Sequence, residues 1–326
     1  MHRTIQQLRL VCLALALLGA ATLMAAPQCE IRPAARASLR QLQTVMASGR
    51  FVAYQPTSLQ VINGRLTQAD MTSIKQDLQT LRSRFDGVIT YGSRNGAERI
   101  ADMAAQLDYR AVIVGVWDIN DAQELAAAVA AARRHPKLVL GISLGNERLF
   151  ARQASAAQLA QALRNLRRQA PQLALTTTEP FHLLLEPAAA PIMAASDFML
   201  VNVHPVFESW FRDAPDANAA EFVVQVVDKL QAVACGPILV KETGVPTAPA
   251  SMGYTPERQA GFYAALQRRF LPGTQRAFAY FSAFDAPWRV NDVSPVPGAH
   301  PEEAHWGLYD EQRQPKPVMQ AIPVLK

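Results

Sequence analysis

Residues 138–147 read LVLGISLGNE, an unbroken apolar or small run that ends in Gly145-Asn146-Glu147. A continuous apolar run of this length is typical of a strand that is covered on both faces in a parallel sheet. Seven more segments share this character. The eight predicted strands are residues 51–55, 87–91, 111–116, 138–144, 173–178, 198–203, 237–241 and 277–281.

The segments between these strands have helical periodicity, as where Ile74, Leu78 and Leu81 fall on one face. The strand starts recur every ~25–40 residues, which is the room that one strand–helix crossover needs. No GxGxxG or P-loop motif follows the first strand, which argues against an open doubly wound sheet. The helix between strands five and six and the helix after strand eight are poorly marked. We predict an α/β fold with a single (β/α)8 barrel domain over residues 27–326.

Composition excludes several classes of protein. The chain has 326 residues, of which 50% are hydrophobic and 18% charged, and this balance excludes a disordered chain and a multi-span membrane protein. The net charge of +5 is small for the length and spread along the chain, so we expect no nucleic-acid partner. The sequence has no HExxH motif and no paired Cys/His set, so we expect neither a metal nor a cofactor. We expect a monomer.

The N-terminus has the features of a targeting segment. Residues 1–26 contain no acidic residue, carry Arg3 and Arg9, and are apolar from Leu10 to Ala26. This pattern is typical of a secretory signal peptide. The apolar run of about 17 residues is near the lower limit for a membrane span, so an uncleaved anchor is the alternative. We predict a periplasmic or secreted protein, either free or tethered to the inner membrane through residues 10–26.

Two of the three cysteines lie in the exported part of the chain. Cys12 falls inside the apolar run, whereas Cys29 and Cys235 follow it. In an oxidising compartment these two residues form one disulfide or remain two buried thiols. The predicted topology puts both near the N-terminal side of the sheet, so a bridge is geometrically feasible.

Three glutamates directly follow predicted strands, where barrel enzymes carry their reactive groups. They are Glu147 after strand four, Glu179 after strand five and Glu242 after strand seven. A carboxyl group that ends an apolar strand is desolvated and needs either a partner or a raised pKa. Glu147 and Glu242 are expected to face each other across the barrel mouth, where two carboxyl groups can divide the roles of acid and nucleophile. Two structural ion pairs are the alternative.

Two motifs around these glutamates carry a family resemblance. Gly145-Asn146-Glu147 together with Glu242-Thr243-Gly244-Val245-Pro246 resembles glycoside hydrolase family 17, the β-1,3-glucanases and related glucanosyltransferases. The resemblance extends to further segments: Tyr91-Gly92, Asn202-Val203-His204-Pro205, Ala283-Phe284-Asp285, Pro287-Trp288 and Trp306-Gly307-Leu308-Tyr309.

The resemblance implies a retaining (β/α)8 enzyme with Glu147 as acid/base and Glu242 as nucleophile. It also implies that Asn146 hydrogen-bonds the sugar 2-OH. Val245 stands where the family usually has tryptophan, and Ser282 and Ala286 stand where bacterial relatives often have acids. We expect these differences to affect subsite preference more than the reaction.

Aromatic residues also cluster at the predicted rim. Trp117, Trp210, Trp288 and Trp306 all follow strand ends, and sugar rings pack their apolar faces on aromatic planes. Tyr91 is expected to orient the nucleophile. Two residues are open to a second interpretation: His204 contacts the nucleophile or the sugar, or is structural, and Glu179 lines the cleft or caps a helix start. The predicted substrate-binding set is Tyr91, Trp117, Asn146, Glu179, His204 and Trp288.

The sequence thus predicts a retaining glycoside hydrolase with a β-glucan oligo- or polysaccharide as its partner. The expected reaction is hydrolysis, glucanosyl transfer or both on β-1,3-glucan. A non-catalytic glycan-binding barrel, or a related hydrolase that acts on another β-linkage, is the alternative.

Overall fold

The computed structural model describes residues 29–30, 32–291 and 298–325. Eight parallel strands form a closed barrel in sequential order, in which β1 pairs with β2 on one side and with β8 on the other. The strands are β1 (Phe51–Ala53), β2 (Gly87–Ile89), β3 (Ala111–Val116), β4 (Val139–Asn146), β5 (Ala174–Pro180), β6 (Met199–Asn202), β7 (Ile238–Glu242) and β8 (Arg276–Tyr280). The predicted (β/α)8 barrel is confirmed, and each strand falls within or beside its predicted segment.

Helices surround this barrel. Their starts follow local capping rules: the Asp70 side chain accepts the Ser73 N–H, and the Thr255 side chain accepts the Arg258 N–H. The helices are α1 (Arg36–Ser48), α2 (Met71–Arg82), α3 (Ile100–Gln106), α4 (Ala122–Arg134), α5 (Ala156–Gln169), α6 (Phe181–Leu184), α7 (Ala190–Ala195), α8 (Asp216–Gln231) and α9 (Pro256–Arg269).

The two poorly marked connections differ from a regular crossover. Between β5 and β6 the chain forms only the short helices α6 and α7, because prolines at 180, 187 and 191 restrict the backbone. After β8 the described chain has short 3-10 turns in place of an α-helix. These turns begin with proline, and the chain then ends beside the α2–β2 connection, where the N–H of Leu325 donates to the carbonyl of Ser83 at 2.8 Å.

Helix α1 closes the base of the barrel, a role that the sequence did not reveal. Its Leu42, Val45 and Met46 belong to the same buried cluster as the side chains that fill the barrel interior. Those interior residues are Phe51, Ile89, Ala111, Ile113, Leu140, Ala174, Phe198, Leu200, Leu239, Ala277 and Ala279. Because the base is filled with apolar side chains, polar chemistry is confined to the opposite, C-terminal end.

A disulfide lies at the same base. Cys29 and Cys235 are bonded, with their Cα atoms 5.5 Å apart, and Cys235 comes just before β7. The bond ties the segment in front of α1 to the barrel wall. The predicted targeting segment, residues 1–26, lies outside the described residues. Within the described part of the chain, no helix combines the length and apolarity that a membrane crossing requires.

We predict that Cys235→Ser lowers the free energy of unfolding by about 2–5 kcal/mol, because the unfolded chain regains the freedom of a long closed loop. Urea unfolding without reductant measures this loss. Cys29→Ser and the double variant should lose the same amount, since each removes the same bond. Additive losses in the double variant, or no loss at all, would contradict a structural disulfide.

Candidate active site

A left-handed turn brings Glu147 to the barrel mouth. Gly145 has φ +85° and Glu147 has φ +52°, so the chain leaves β4 through a conformation that favours glycine at its first position. The N–H of Glu147 donates to the carbonyl of Thr178 on β5 at 2.8 Å. The side chain of Glu147 is half-buried as a result, and it stands at the C-terminal rim.

Glu242 ends β7 and is only 6% exposed. Two residues later, a Cβ placed on Gly244 would lie 2.1 Å from the carbonyl oxygen of Phe281. Glycine is therefore required where the chain after β7 passes the end of β8. This close approach explains the Glu-Thr-Gly part of the second motif.

Two residues at the end of β6 hold the two carboxyl groups. Asn202 Nδ2 donates to Glu147 Oε1 at 2.8 Å, and His204 Nε2 lies 3.3 Å from Glu242 Oε2. Residues two apart in an extended chain project to the same side and are about 6–7 Å apart. The structure therefore places both glutamates over one side of the mouth, where the charge of Glu242 acts on Glu147.

A buried lysine lies beside the second carboxylate. Lys241 is 1% exposed, and its Nζ lies 3.4 Å from Glu242 Oε1 and 3.9 Å from the centre of the Tyr91 ring. Burial and the charge of Glu242 raise the pKa of Tyr91 well above its ordinary value, so the phenol keeps its proton. Tyr91 thus lies beside Glu242, where the sequence analysis expected it to orient the nucleophile.

The surroundings of the two glutamates shift their pKa values in opposite directions. Burial and the nearby charge of Glu242 raise the pKa of Glu147 above 4.5. Burial alone would raise the pKa of Glu242 as well, but the charge of Lys241 and the hydrogen bond from His204 lower it to about 2. Between the two pKa values Glu147 holds a proton and Glu242 is ionised, which is the division that acid and nucleophile require.

Glu179 does not line the cleft, so its prediction as a substrate-binding residue is wrong. It is fully buried, and its two oxygens accept the backbone N–H groups of Leu149 at 2.8 Å and Phe150 at 3.1 Å. Burial raises its pKa to about 7. Glu179 anchors the loop that follows Glu147 rather than capping a helix start.

The four tryptophans divide into two pairs. Trp117 is 48% exposed, and Trp288 lines a cavity of about 290 Å³ beside Tyr91. Trp210 packs against Phe222 of α8, with ring centres 5.4 Å apart. Trp306 is 1% exposed and packs against the ring of His204. The expectation that all four line a glycan cleft is therefore wrong for Trp306, and it stays a prediction for Trp210, which is half-buried.

Sequence reasoning did not single out Asn202 or Lys241 as site residues. Asn202 stood in a motif that carried the family resemblance, and Lys241 was visible as a lysine within an otherwise apolar strand. Residues 141–145 also fit the Gly-x-Ser-x-Gly pattern of serine hydrolases. However, Ser143 is buried within β4 and hydrogen-bonds Thr178 Oγ1 rather than a histidine. Among the described residues, no group of His, Cys, Asp and Glu is arranged to hold a metal ion.

A parallel eight-stranded barrel with two carboxyl groups whose pKa values are shifted in opposite directions, after β4 and at the end of β7, has the architecture of the barrel glycoside hydrolases. Sequence comparison agrees with this class. The chain belongs to the family defined by the BtgE/BtgC glycoside hydrolase domain, which matches residues 52–307. The protein is therefore a glycoside hydrolase.

Relatives named for activity on β-1,3-glucan match this chain in sequence or in fold. A glucan 1,3-beta-glucosidase of Arthroderma benhamiae is 24% identical over 262 residues, which cover 76% of this chain and 84% of the relative. The family 17 β-1,3-glucanosyltransferase of Rhizomucor miehei has a TM-score of 0.62 at 20% identity, with 84% of this chain and 97% of that chain covered. An active-site mutant of that enzyme has been crystallised with laminaritriose. An endo-laminarinase from Formosa Hel1_33_131 has a TM-score of 0.65 at 19% identity, with 80% and 83% covered.

We predict that Glu179 makes stability fall as the pH rises. Its folded pKa of about 7 lies above the unfolded value of 4.5, so its contribution is complete below pH 4.5 and is lost as the pH passes 7. Urea unfolding at pH 4.5 and pH 8 should show up to about 3 kcal/mol of pH dependence that disappears in Glu179→Gln.

The matched control is Glu186→Gln, which removes a carboxylate from an exposed position between α6 and α7. This variant should keep the wild-type pH dependence. Parallel stability curves for wild type and Glu179→Gln would show that the buried carboxyl does not titrate as described.

Proposed function

We propose that the protein is a retaining glycosidase of β-1,3-glucan that works by double displacement, with water or a sugar hydroxyl as the acceptor. The observation that carries this proposal is the pairing of Glu147 and Glu242 at one mouth with opposite displacements of their pKa values. Retaining enzymes need one protonated and one ionised carboxyl group about 5–5.5 Å apart. Asn202 and His204, two residues apart on one chain segment, support this short separation.

In the first step, Glu242 attacks the anomeric carbon while Glu147 donates its proton to the glycosidic oxygen. The bond between the anomeric carbon and that oxygen breaks, and an ester bond to Glu242 forms. The leaving sugar departs with the proton. Glu147 is now ionised, and the hydrogen bond from Asn202 Nδ2 stabilises that state.

In the second step, Glu147 takes a proton from the acceptor hydroxyl, whose oxygen attacks the anomeric carbon and releases Glu242 as a carboxylate. Water as the acceptor gives hydrolysis, and a sugar hydroxyl gives glucanosyl transfer. The negative charge returns to Glu242. His204 and Lys241 stabilise it there, because they face the two oxygens of that carboxylate.

The β-1,3 linkage is supported by what the relatives act on, since a glucan 1,3-beta-glucosidase, a β-1,3-glucanosyltransferase and an endo-laminarinase share this fold. Trp117 and Trp288 are proposed to pack on sugar rings, because both have accessible faces at the rim. Asn146 is proposed to hydrogen-bond the sugar 2-OH, and His204 is proposed to contact the sugar beside Glu242.

We further propose that the enzyme works after export, as a monomer in the periplasm or outside the cell. A bond between Cys29 and Cys235 is consistent with an oxidising compartment, because cytosolic reductants keep cysteine thiols reduced. Tethering through residues 10–26 belongs to the same proposal.

Incubation with linear β-1,3-gluco-oligosaccharides, followed by mass spectrometry, tests the reaction. Shorter products alone indicate hydrolysis, and longer products indicate transfer. Glu242→Gln should lower the rate at least about 10³-fold without unfolding the barrel, because it removes the nucleophile. The exposed-site variant Glu186→Gln should retain wild-type activity.

Three results would contradict the proposal in different ways. Cleavage of β-1,4- or β-1,6-linked oligosaccharides in place of β-1,3-linked ones would show that the protein is a glycosidase specific for another linkage. Binding without turnover would leave a glycan-binding barrel. Wild-type rates in Glu242→Gln would show that Glu242 is not the nucleophile.

The pH dependence of kcat/KM should be bell-shaped. Activity rises as Glu242 ionises, at a pH well below 4.5, and falls as Glu147 loses its proton, at a pH above 4.5. Glu147→Gln should lower the rate on oligosaccharides about 10²–10⁴-fold. On an aryl glycoside with an activated leaving group it should lose the basic limb and keep the acidic limb. A basic limb that survives in this variant would exclude Glu147 as the acid.

A further inference from the structure

The buried ammonium group of Lys241 is the least expected charge in the barrel. It stands in β7 after Ile238, Leu239 and Val240, and only 1% of its surface is exposed. Burying a charge costs several kcal/mol unless other groups compensate it. The contacts of this lysine therefore indicate why the fold retains it.

All three partners of Lys241 lie at the ends of different strands around the mouth. Its Nζ donates to Asn146 Oδ1 on β4, pairs with Glu242 Oε1 at 3.4 Å on β7, and lies 3.9 Å from the ring centre of Tyr91 after β2. Glu242 was expected at the site from its position at a strand end, and Asn146 and Tyr91 from the family resemblance. One cation thus joins three parts of the proposed reaction centre.

The contact with Asn146 selects one orientation of the amide. An asparagine side chain has one acceptor oxygen and one donor nitrogen, whereas an ammonium group can only donate. Lys241 therefore holds Oδ1 toward itself and turns Nδ2 away. The donor directed away from the lysine can hydrogen-bond the oxygen of a sugar 2-OH.

The contact with Glu242 acts on charge. Among the described residues, five groups face this carboxylate: Lys241 from its own strand, His204 after β6, Tyr91 after β2, Glu147 after β4, and Arg289 in the turn after β8. Arg289 is itself paired with Glu303 at 3.0 Å. Lys241 is the most deeply buried of the positive groups, so water screens its charge least.

We propose that Lys241 is a positioning residue for the retaining reaction: it orients the amide of Asn146 toward the sugar and holds Glu242 in its ionised, attacking form. This inference rests on the proposed function. The same ammonium serves both half-reactions. When the ester forms, the negative charge passes from Glu242 to Glu147, and Lys241 lies within electrostatic reach of both.

The test compares three variants with wild type on 2,4-dinitrophenyl β-laminaribioside. Its leaving group needs no proton from Glu147, so the acidic limb of kcat/KM reports the ionisation of Glu242. Lys241→Met keeps the length of the side chain without its charge. It should lower kcat and move the acidic limb upward by about 1 pH unit or more, because an opposite charge has been lost within 4 Å.

Lys241→Gln separates the two roles. Its amide nitrogen can donate to Asn146 Oδ1 but carries no charge, so part of the lost kcat should return while the acidic limb stays shifted. Lys316→Met is the matched control for loss of a buried lysine. Lys316 pairs with Asp285 at 2.7 Å, so its loss should lower the melting temperature without moving the limb.

An acidic limb that stays at the wild-type pH in Lys241→Met, or that moves equally in Lys316→Met, would overturn the inference and leave the proposed function intact. If Lys241→Met does not fold, the acidic limb of kcat/KM is measured in Lys241→Gln instead. A limb that stays at the wild-type pH in that variant overturns the inference in the same way. A wild-type enzyme without activity on this glycoside overturns the proposed function, and the inference falls with it.

Discussion

Parallel pairing of eight strands around a closed ring is the constraint on which the remaining structure depends. Because every strand runs in one direction, every strand ends at one rim, and residues far apart in sequence meet there. Glu147 and Glu242 are brought to one mouth in this way. Closure between β1 and β8 leaves no barrel edge unpaired, and α1 fills the base with apolar side chains.

The mouth is stabilised by charges that compensate one another. Glu242 is held by Lys241 and His204, whereas Glu147 is held by a neutral donor, Asn202. A carboxylate next to two basic groups stays ionised, whereas burial and the charge of Glu242 raise the pKa of Glu147 even though the Asn202 donor lowers it. Two chemically identical side chains thereby acquire different properties from their neighbours alone. The difference between the two carboxyl groups arises because different strand ends contribute their neighbours.

Periodicity and local composition predicted the barrel, because strands covered on both faces must be apolar throughout. The same logic located Glu147 and Glu242, since a carboxyl group at the end of such a strand is conspicuous. It did not separate them from Glu179, which has the same sequence context but accepts two backbone N–H groups. Whether a strand-end carboxyl faces solvent or a neighbouring loop depends on the path of that loop. Lys241 was missed because a lone lysine in a strand is usually solvated.

The disulfide makes a covalent ring of the chain between Cys29 and Cys235, 206 positions apart. Strands β1 to β6 and the loop that carries Glu147 all lie inside this ring. Exposed loop tips are the usual sites of proteolytic cleavage. A single cut anywhere inside the ring leaves two pieces that are still one molecule. Glu242 is attached just beyond the closing cysteine, so Glu147 and Glu242 stay on the same covalent assembly after such damage.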